Sequence, residues 1–204
     1  MLFRSGAIYP IAEDDILTPL MAIPANWPRC FGLDVGWNRT AVLWAARNPG
    51  SGVIVLYDEY YQAQGEAPTH VAGIKARGSW IPGVIDPASR GRSQVDGRQL
   101  LQMYRELGLK LSLADNAVDT GISQTWTLMV SGRLKVMPNC SNFLSEFRKY
   151  HRDEKGNIVK KADHLMDCLR YIVNSGRDRM IIQPLPKCIP QSAPVPDGDR
   201  AWMV

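Results

Sequence analysis

Four aspartates are the residues of this sequence best placed to do chemistry. Asp34 stands inside a short apolar run, Gly32-Leu33-Asp34-Val35-Gly36-Trp37, where a carboxylate is costly unless a cation or hydrogen bonds compensate it. The plainer reading is a turn residue serving the bend at Gly36. Asp86 repeats the oddity in Gly83-Val84-Ile85-Asp86-Pro87, at the carboxyl end of a buried strand, where ligand sites tend to gather. Its plainer reading is turn initiation before proline. Asp163 and Asp167 lie in Lys160-Lys161-Ala162-Asp163-His164-Leu165-Met166-Asp167, and their spacing of four puts both acids on one helix face about a turn apart. Asp163 could instead cap that helix, and Asp167 could pair with Arg170 or Lys161.

Taken together these acids form an oxygen-only donor set of the kind that suits hard cations such as Mg²⁺ or Mn²⁺. Two such ions about 4 Å apart would activate a water and stabilise the leaving oxygen of a phosphodiester, with no protein nucleophile needed. His164, beside Asp163, could assist proton transfer or hold a phosphate, although a single histidine is more often structural. Arg90, Arg92 and Arg98 follow Asp86 in a glycine-containing stretch. A basic loop there could grip a DNA backbone, or could simply be solvated. Lys160 and Lys161 invite the same two readings. The six tryptophans are scattered and read as core or linker contacts rather than a stacking platform.

Several elements must hold these residues in place. Cys30–Val35, Thr40–Ala46 and Val53–Tyr57 read as strands, with Asn48-Pro49-Gly50-Ser51-Gly52 a dense turn between the last two. Such short spacings demand antiparallel pairing, because a parallel crossover needs a dozen or more residues. Helical spacing follows over Pro68–Arg77, then a strand at Gly83–Asp86, a helix at Gln99–Leu107 stopped by Gly108, and a strand at Lys110–Leu113. Thr120–Ser131 reads as helix, Leu134–Val136 as strand and Asn142–Tyr150 as helix. A charged hairpin follows over His151–Lys161, turning at Lys155-Gly156-Asn157, and the last helix covers Asp163–Asn174. The expected fold is α/β: a mixed sheet, three antiparallel strands then parallel ones, with helices on both faces.

Residues 1–28 carry four prolines and an acidic cluster, and read as an arm or linker from a preceding domain. Residues 177–204 are proline-rich and read as a tail. The domain between them, 29–176, has roughly the commonest domain size. A formal charge of +4 permits contact with a polyanion without requiring it. The four cysteines (Cys30, Cys140, Cys168, Cys188) include no C-x-x-C pair, so neither a disulfide framework nor a zinc knuckle is expected. No apolar run approaches the ~20 residues that span a bilayer, and the chain reads as soluble, intracellular and free of membrane partners.

With these residues in view, the sequence resembles the nuclease domain of phage large terminase subunits. Gly-Leu-Asp-Val-Gly at 32–36, Ile-Asp-Pro-Ala at 85–88 and Lys-Ala-Asp-His-Leu-Met-Asp-Cys-Leu-Arg-Tyr at 161–171 carry the likeness, with Asn142 to Tyr150 and the charged hairpin in support. The resemblance spans roughly 28–175, and the order and spacing of the motifs say more than any one of them. It implies an RNase H-like fold, a carboxylate site for two Mg²⁺ or Mn²⁺ ions, and cutting of concatemeric viral DNA during genome packaging. By motif position Asp34, Asp86 and Asp163 carry over as catalytic metal ligands, with Asp167 as a fourth. Glu146 falls at a frequently acidic position and is not counted as a ligand. The implied partners are double-stranded DNA, the terminase ATPase domain, the portal and the small terminase subunit. The implied location is the cytoplasm of an infected bacterial host.

One departure is plain: the chain has no G-x-x-x-x-G-K-[ST] phosphate loop, so it reads as an isolated domain or C-terminal fragment without ATPase activity. Three other readings compete. Asp34-Val35-Gly36 also resembles the first phosphate loop of actin-like sugar kinases, which need two related domains. A Holliday-junction resolvase-like nuclease would share the fold and the acids. A non-catalytic DNA- or portal-docking module would use the aspartates only as caps and turns.

Overall fold

Strand β2 (Thr40–Arg47) is apolar on both faces because both faces are covered. It lies inside a six-stranded sheet of order β5-β4-β1-β2-β3-β6, in a computed structural model that describes residues 6–36, 38–90 and 99–185, without the side chains of 89 and 90. β1 (Arg29–Val35) and β3 (Ile54–Gln62) flank β2 in antiparallel register. β4 (Gly83–Ile85) runs parallel to β1, β5 (Leu111–Leu113) parallel to β4, and β6 (Leu134–Val136) parallel to β3. The expected division into three antiparallel strands and then parallel ones is therefore what forms.

Alternate residues of each strand feed opposite layers, as a pleated strand requires. Phe31, Leu33, Val42 and Trp44 pack with Val71 and Ile74 of α2 (Ala67–Lys75) and with Leu101 and Tyr104 of α3 (Leu100–Glu106). Cys30, Ala41, Leu43 and Ala45 face the other way. There they meet α4 (Val118–Val130), α5 (Ser141–Phe147) and α6 (His164–Tyr171) through Leu128, Met129, Phe143, Leu144, Leu165 and Leu169. Here the short helix α1 (Glu13–Ile16) of the N-terminal segment also lies against the domain, with Tyr9 and Ile16 buried in this second layer.

Each outer strand has one outward carbonyl engaged. Thr18 donates its amide to the Val136 carbonyl of β6 at 3.0 Å. At the other border Arg105 donates through Nε and Nη2 to the Leu111 carbonyl of β5, at 3.0 and 2.8 Å.

Several boundaries differ from expectation, α5 for one ending at Phe147 and not at Tyr150. β3 runs on to Gln62 instead of stopping at Tyr57, with a bulge that leaves Tyr57 unpaired between Trp44–Asp58 and Ala45–Leu56. Its second half is polar because those side chains serve neighbours. Asp58 pairs with Arg77 at 3.1 Å, and Glu59 accepts the amides of Asn142 and Phe143 at the start of α5. The last helix, expected to reach Asn174, is α-helical to Tyr171 and then widens into a π-turn over Ile172–Gly176.

Candidate metal centre

β1 and β4 deliver two acids side by side. Leu33 pairs with Ile85, so Asp34 and Asp86 are the next residues on parallel neighbours, and the Asp86 amide donates to the Leu33 carbonyl at 3.3 Å. One Asp86 oxygen also accepts the Ala88 amide at 3.0 Å. The turn before proline and the placement beside Asp34 thus coexist in one residue.

α6 brings the other two acids because it can lie directly on β1. A Cβ at Gly32 would stand 2.3 Å from the Cys168 carbonyl oxygen, so only glycine admits the helix at this distance. Cys168 in turn donates its thiol to the Ala41 carbonyl at 3.3 Å. The start of α6 then falls beside the end of β1, where His164 donates from Nδ1 to Asp34 Oδ2 at 2.8 Å. When Asp34 is ionised it can only accept, which places the ring proton on Nδ1.

Asp163 occupies the N-cap position of α6 but makes no side-chain cap hydrogen bond. Glu146, from α5, supplies the cap instead. Its Oε2 accepts the amides of Leu165 and Met166 at 2.6 and 3.3 Å, and its Oε1 accepts the Tyr61 hydroxyl at 2.7 Å. The Tyr61 ring lies under the Arg39 guanidinium, 4.5 Å away. With its capping duty taken over, the Asp163 carboxylate points elsewhere. Its buried Oδ2 accepts no well-aligned hydrogen bond and lies 3.3 Å from the Lys160 ammonium. The same ammonium is 3.5 Å from Asp167 Oδ2, while Asp167 Oδ1 accepts from Arg170 at 2.7 Å. Arg170 is buried and also donates to Asn116.

The electrostatics follow from this crowding. Burial pushes the Asp34 carboxyl above its ordinary range, His164 opposes the rise, and Asp167 and Asp86 add to it, which marks the three acids as neighbours. The hydrogen bond to Asp34 raises His164. Burial raises Glu146 despite the donors around it. Burial alone would lower Lys160, but Asp167 and Asp163 outweigh it and hold the ammonium charged.

Among the described residues, no group of three or more His, Cys, Asp or Glu side chains is drawn tightly enough to form a ready metal shell. The donor set nevertheless fits a hard cation. All four acids offer oxygen, and a cation, the Lys160 ammonium, already sits between Asp163 and Asp167.

Of the residues expected to meet DNA, Lys160 faces these acids. Lys161 is exposed and lines a separate cavity of about 370 Å³. The Arg90 side chain, Arg92 and Arg98 lie outside the described residues. Sequence reasoning did not find the capping role of Glu146, whose only signal is an acid inside the apolar stretch Asn142-Phe143-Leu144-Ser145-Glu146-Phe147. It named Arg170 only as one possible partner for Asp167.

A mixed sheet with this strand order, helices on both faces and acids converging from β1, β4 and α6 defines an RNase H-like domain. Residues 32–175 match the Terminase RNaseH-like domain family, and the chain belongs to it. It is 31% identical over 178 residues to the large terminase subunit of Salmonella phage P22, covering 82% of this chain and 35% of that protein. The large terminase subunit of Enterobacteria phage LP7 is equally similar, and 37% of it is covered. The chain thus spans little more than a third of these curated relatives. The solved P22 large terminase nuclease domain superposes with a TM-score of 0.80 at 28% identity, covering 89% of this chain and 97% of that one. A large terminase nuclease from the thermophilic phage G20c, solved with bound magnesium, shares the fold at 16% identity and a TM-score of 0.60, over 84% of this chain and 98% of that one.

Proposed function

We propose that this chain is a divalent-metal-dependent DNA endonuclease domain that cuts concatemeric viral DNA during genome packaging. The observation that carries this reading is the convergence of Asp34, Asp86, Asp163 and Asp167, with a cationic side chain already held between two of them. Similarity to the P22 large terminase nuclease domain supports the same activity. The G20c nuclease, solved with magnesium and with cobalt, supports a divalent ion.

Asp34, Asp86, Asp163 and Asp167 would hold Mg²⁺ or Mn²⁺, two ions in the full site. When bound, such ions supply an activated water and charge stabilisation for the leaving oxygen. Asp34, Asp86 and Asp163 are the residues on which cutting depends. His164 orients Asp34 through its Nδ1 proton and can exchange a proton at that atom. Lys160 and Lys161, with Arg90, Arg92 and Arg98 on the loop after Asp86, would grip the phosphate backbone. The working partners would be double-stranded DNA, a terminase ATPase domain, the portal and the small terminase subunit, in the cytoplasm of an infected bacterial host.

The test is plasmid nicking and linearisation with Mg²⁺, Mn²⁺ or EDTA, for the native chain and for Asp34→Asn and Asp86→Asn. Metal-dependent cutting lost in either folded variant is the expected result. Cutting that persists in both variants would place the chemistry elsewhere. Preference for a four-way junction over linear duplex would favour a resolvase-like nuclease. No cutting by the native chain, together with no divalent-ion binding, would favour a docking module.

A further inference from the structure

Lys161 lines the 370 Å³ cavity together with Lys149, His151, Val159 and Ala162. Its basic residues come from three places that the fold brings together: the turn after α5, the start of the charged hairpin, and the segment entering α6. His151 is fixed beside Lys149, with Nδ1 2.5 Å from the Lys149 carbonyl, and Lys149 donates to Ser145 at 3.2 Å. Among the described residues neither Lys149 nor Lys161 has a carboxylate partner, whereas Arg148, Arg152, Lys160 and Arg170 all do.

The adjacent lysines Lys160 and Lys161 have different neighbours. Ala162, which follows them, has a left-handed φ of 54°, strained for a residue bearing a Cβ. Lys160 lies against Asp163 and Asp167, while Lys161 lines the cavity. Cations without acidic partners, gathered around an open recess two residues from Asp163, suit an anion rather than an apolar ligand.

We propose that Lys149, His151 and Lys161 form a seat for the backbone phosphate of a nucleotide flanking the one cut at the aspartates. The proposal rests on the endonuclease reading and adds to it the place where the strand leaves the site. Both lysines are exposed, so neutral replacements spare the core.

The experiment is fluorescence anisotropy of the full chain with a labelled linear DNA duplex in EDTA, over a series of chloride concentrations. The variants are Lys149→Gln/Lys161→Gln and, as a charge control, Lys110→Gln beside β5 at the far edge of the sheet. Losing the one phosphate contact of the seat should flatten the slope of log K against log salt by about 0.9 in the double variant. The control should keep the native slope. A double variant with native slope and affinity would overturn the proposal, as would an equal loss in Lys110→Gln or a native chain that binds no duplex. Swapping chloride for inorganic phosphate at equal ionic strength tests the source of the phosphate. A diester seat is little affected, whereas specific displacement would overturn the proposal in favour of a free-phosphate pocket. Metal-dependent cutting by the native chain is scored separately, so the seat can fail while the endonuclease reading stands.

Discussion

The carboxylate of Glu146 receives the amides of Leu165 and Met166 at 2.6 and 3.3 Å, and so does for α6 what Asp163 at its N-cap position does not. One acid satisfies the helix end and leaves the other to face the neighbouring acids. Glu146→Ala should therefore cost about 1–3 kcal/mol from the unmet amides alone, read by urea denaturation. Calorimetry should show weaker binding of Mn²⁺, because Asp163 is then drawn back to the helix. Glu146→Gln keeps one carbonyl for the amides and should retain most of both properties. A Glu146→Ala chain with native Mn²⁺ affinity would reduce Glu146 to a cap without influence on the site.

Divalent ions should stabilise the folded chain by mass action, by about 2.7 kcal/mol at a hundred times Kd. Thermal unfolding with and without Mg²⁺ or Mn²⁺ measures this, and EDTA should reverse it. Asp163→Asn/Asp167→Asn should remove the response. Lys160→Met should strengthen it, since its ammonium now competes for the same two carboxylates. Weaker ion binding in Lys160→Met would show that the lysine supports the ligands rather than competing for them.

The His164–Asp34 pair gives stability a pH signature. His164 is raised above its ordinary 6.5 by its hydrogen bond to Asp34, so its contribution is complete below that value and is lost as pH rises through the folded one. Asp34 is raised too, mainly by burial, but from 3.8 and so with its onset in the acidic range. As pH rises above 6.5 the histidine governs the change. The Tm advantage of the native chain over His164→Gln should shrink over that rise. Parallel Tm curves would mean the pair carries no net charge coupling.

Gly32→Ala tests how closely the site depends on one contact. The added methyl would meet the Cys168 carbonyl at 2.3 Å, and overpacking of this kind costs about 1–3 kcal/mol. Because α6 must lift from β1, Mn²⁺ affinity should fall along with stability. A loss of stability with unaltered Mn²⁺ affinity would show that the helix end is held independently, by Glu146.

Much of this was legible in the sequence, for identifiable reasons. Asp34 and Asp86 stood out because each ends an apolar run, and apolar runs set the strands. The spacing of Asp163 and Asp167 put both on one face of α6. The cap exchange was hidden because Asp163 sits where a cap belongs, while Glu146 is distant in sequence. The far half of β3 was hidden because Asp58, Glu59 and Gln62 are polar for reasons that only their partners reveal. The π-turn after Tyr171 has no local signature, since Ile172 and Val173 continue the apolar pattern of the helix.

The engaged borders of the sheet have a consequence for how copies of this chain behave together. An incoming strand needs a run of vacant acceptors, and one on each border, Val136 on β6 and Leu111 on β5, is already spoken for by Thr18 and Arg105. Edge-to-edge growth of crowded neighbours therefore meets an interruption on both borders. Assembly through side-chain surfaces, which charge and shape can make selective, is favoured over it.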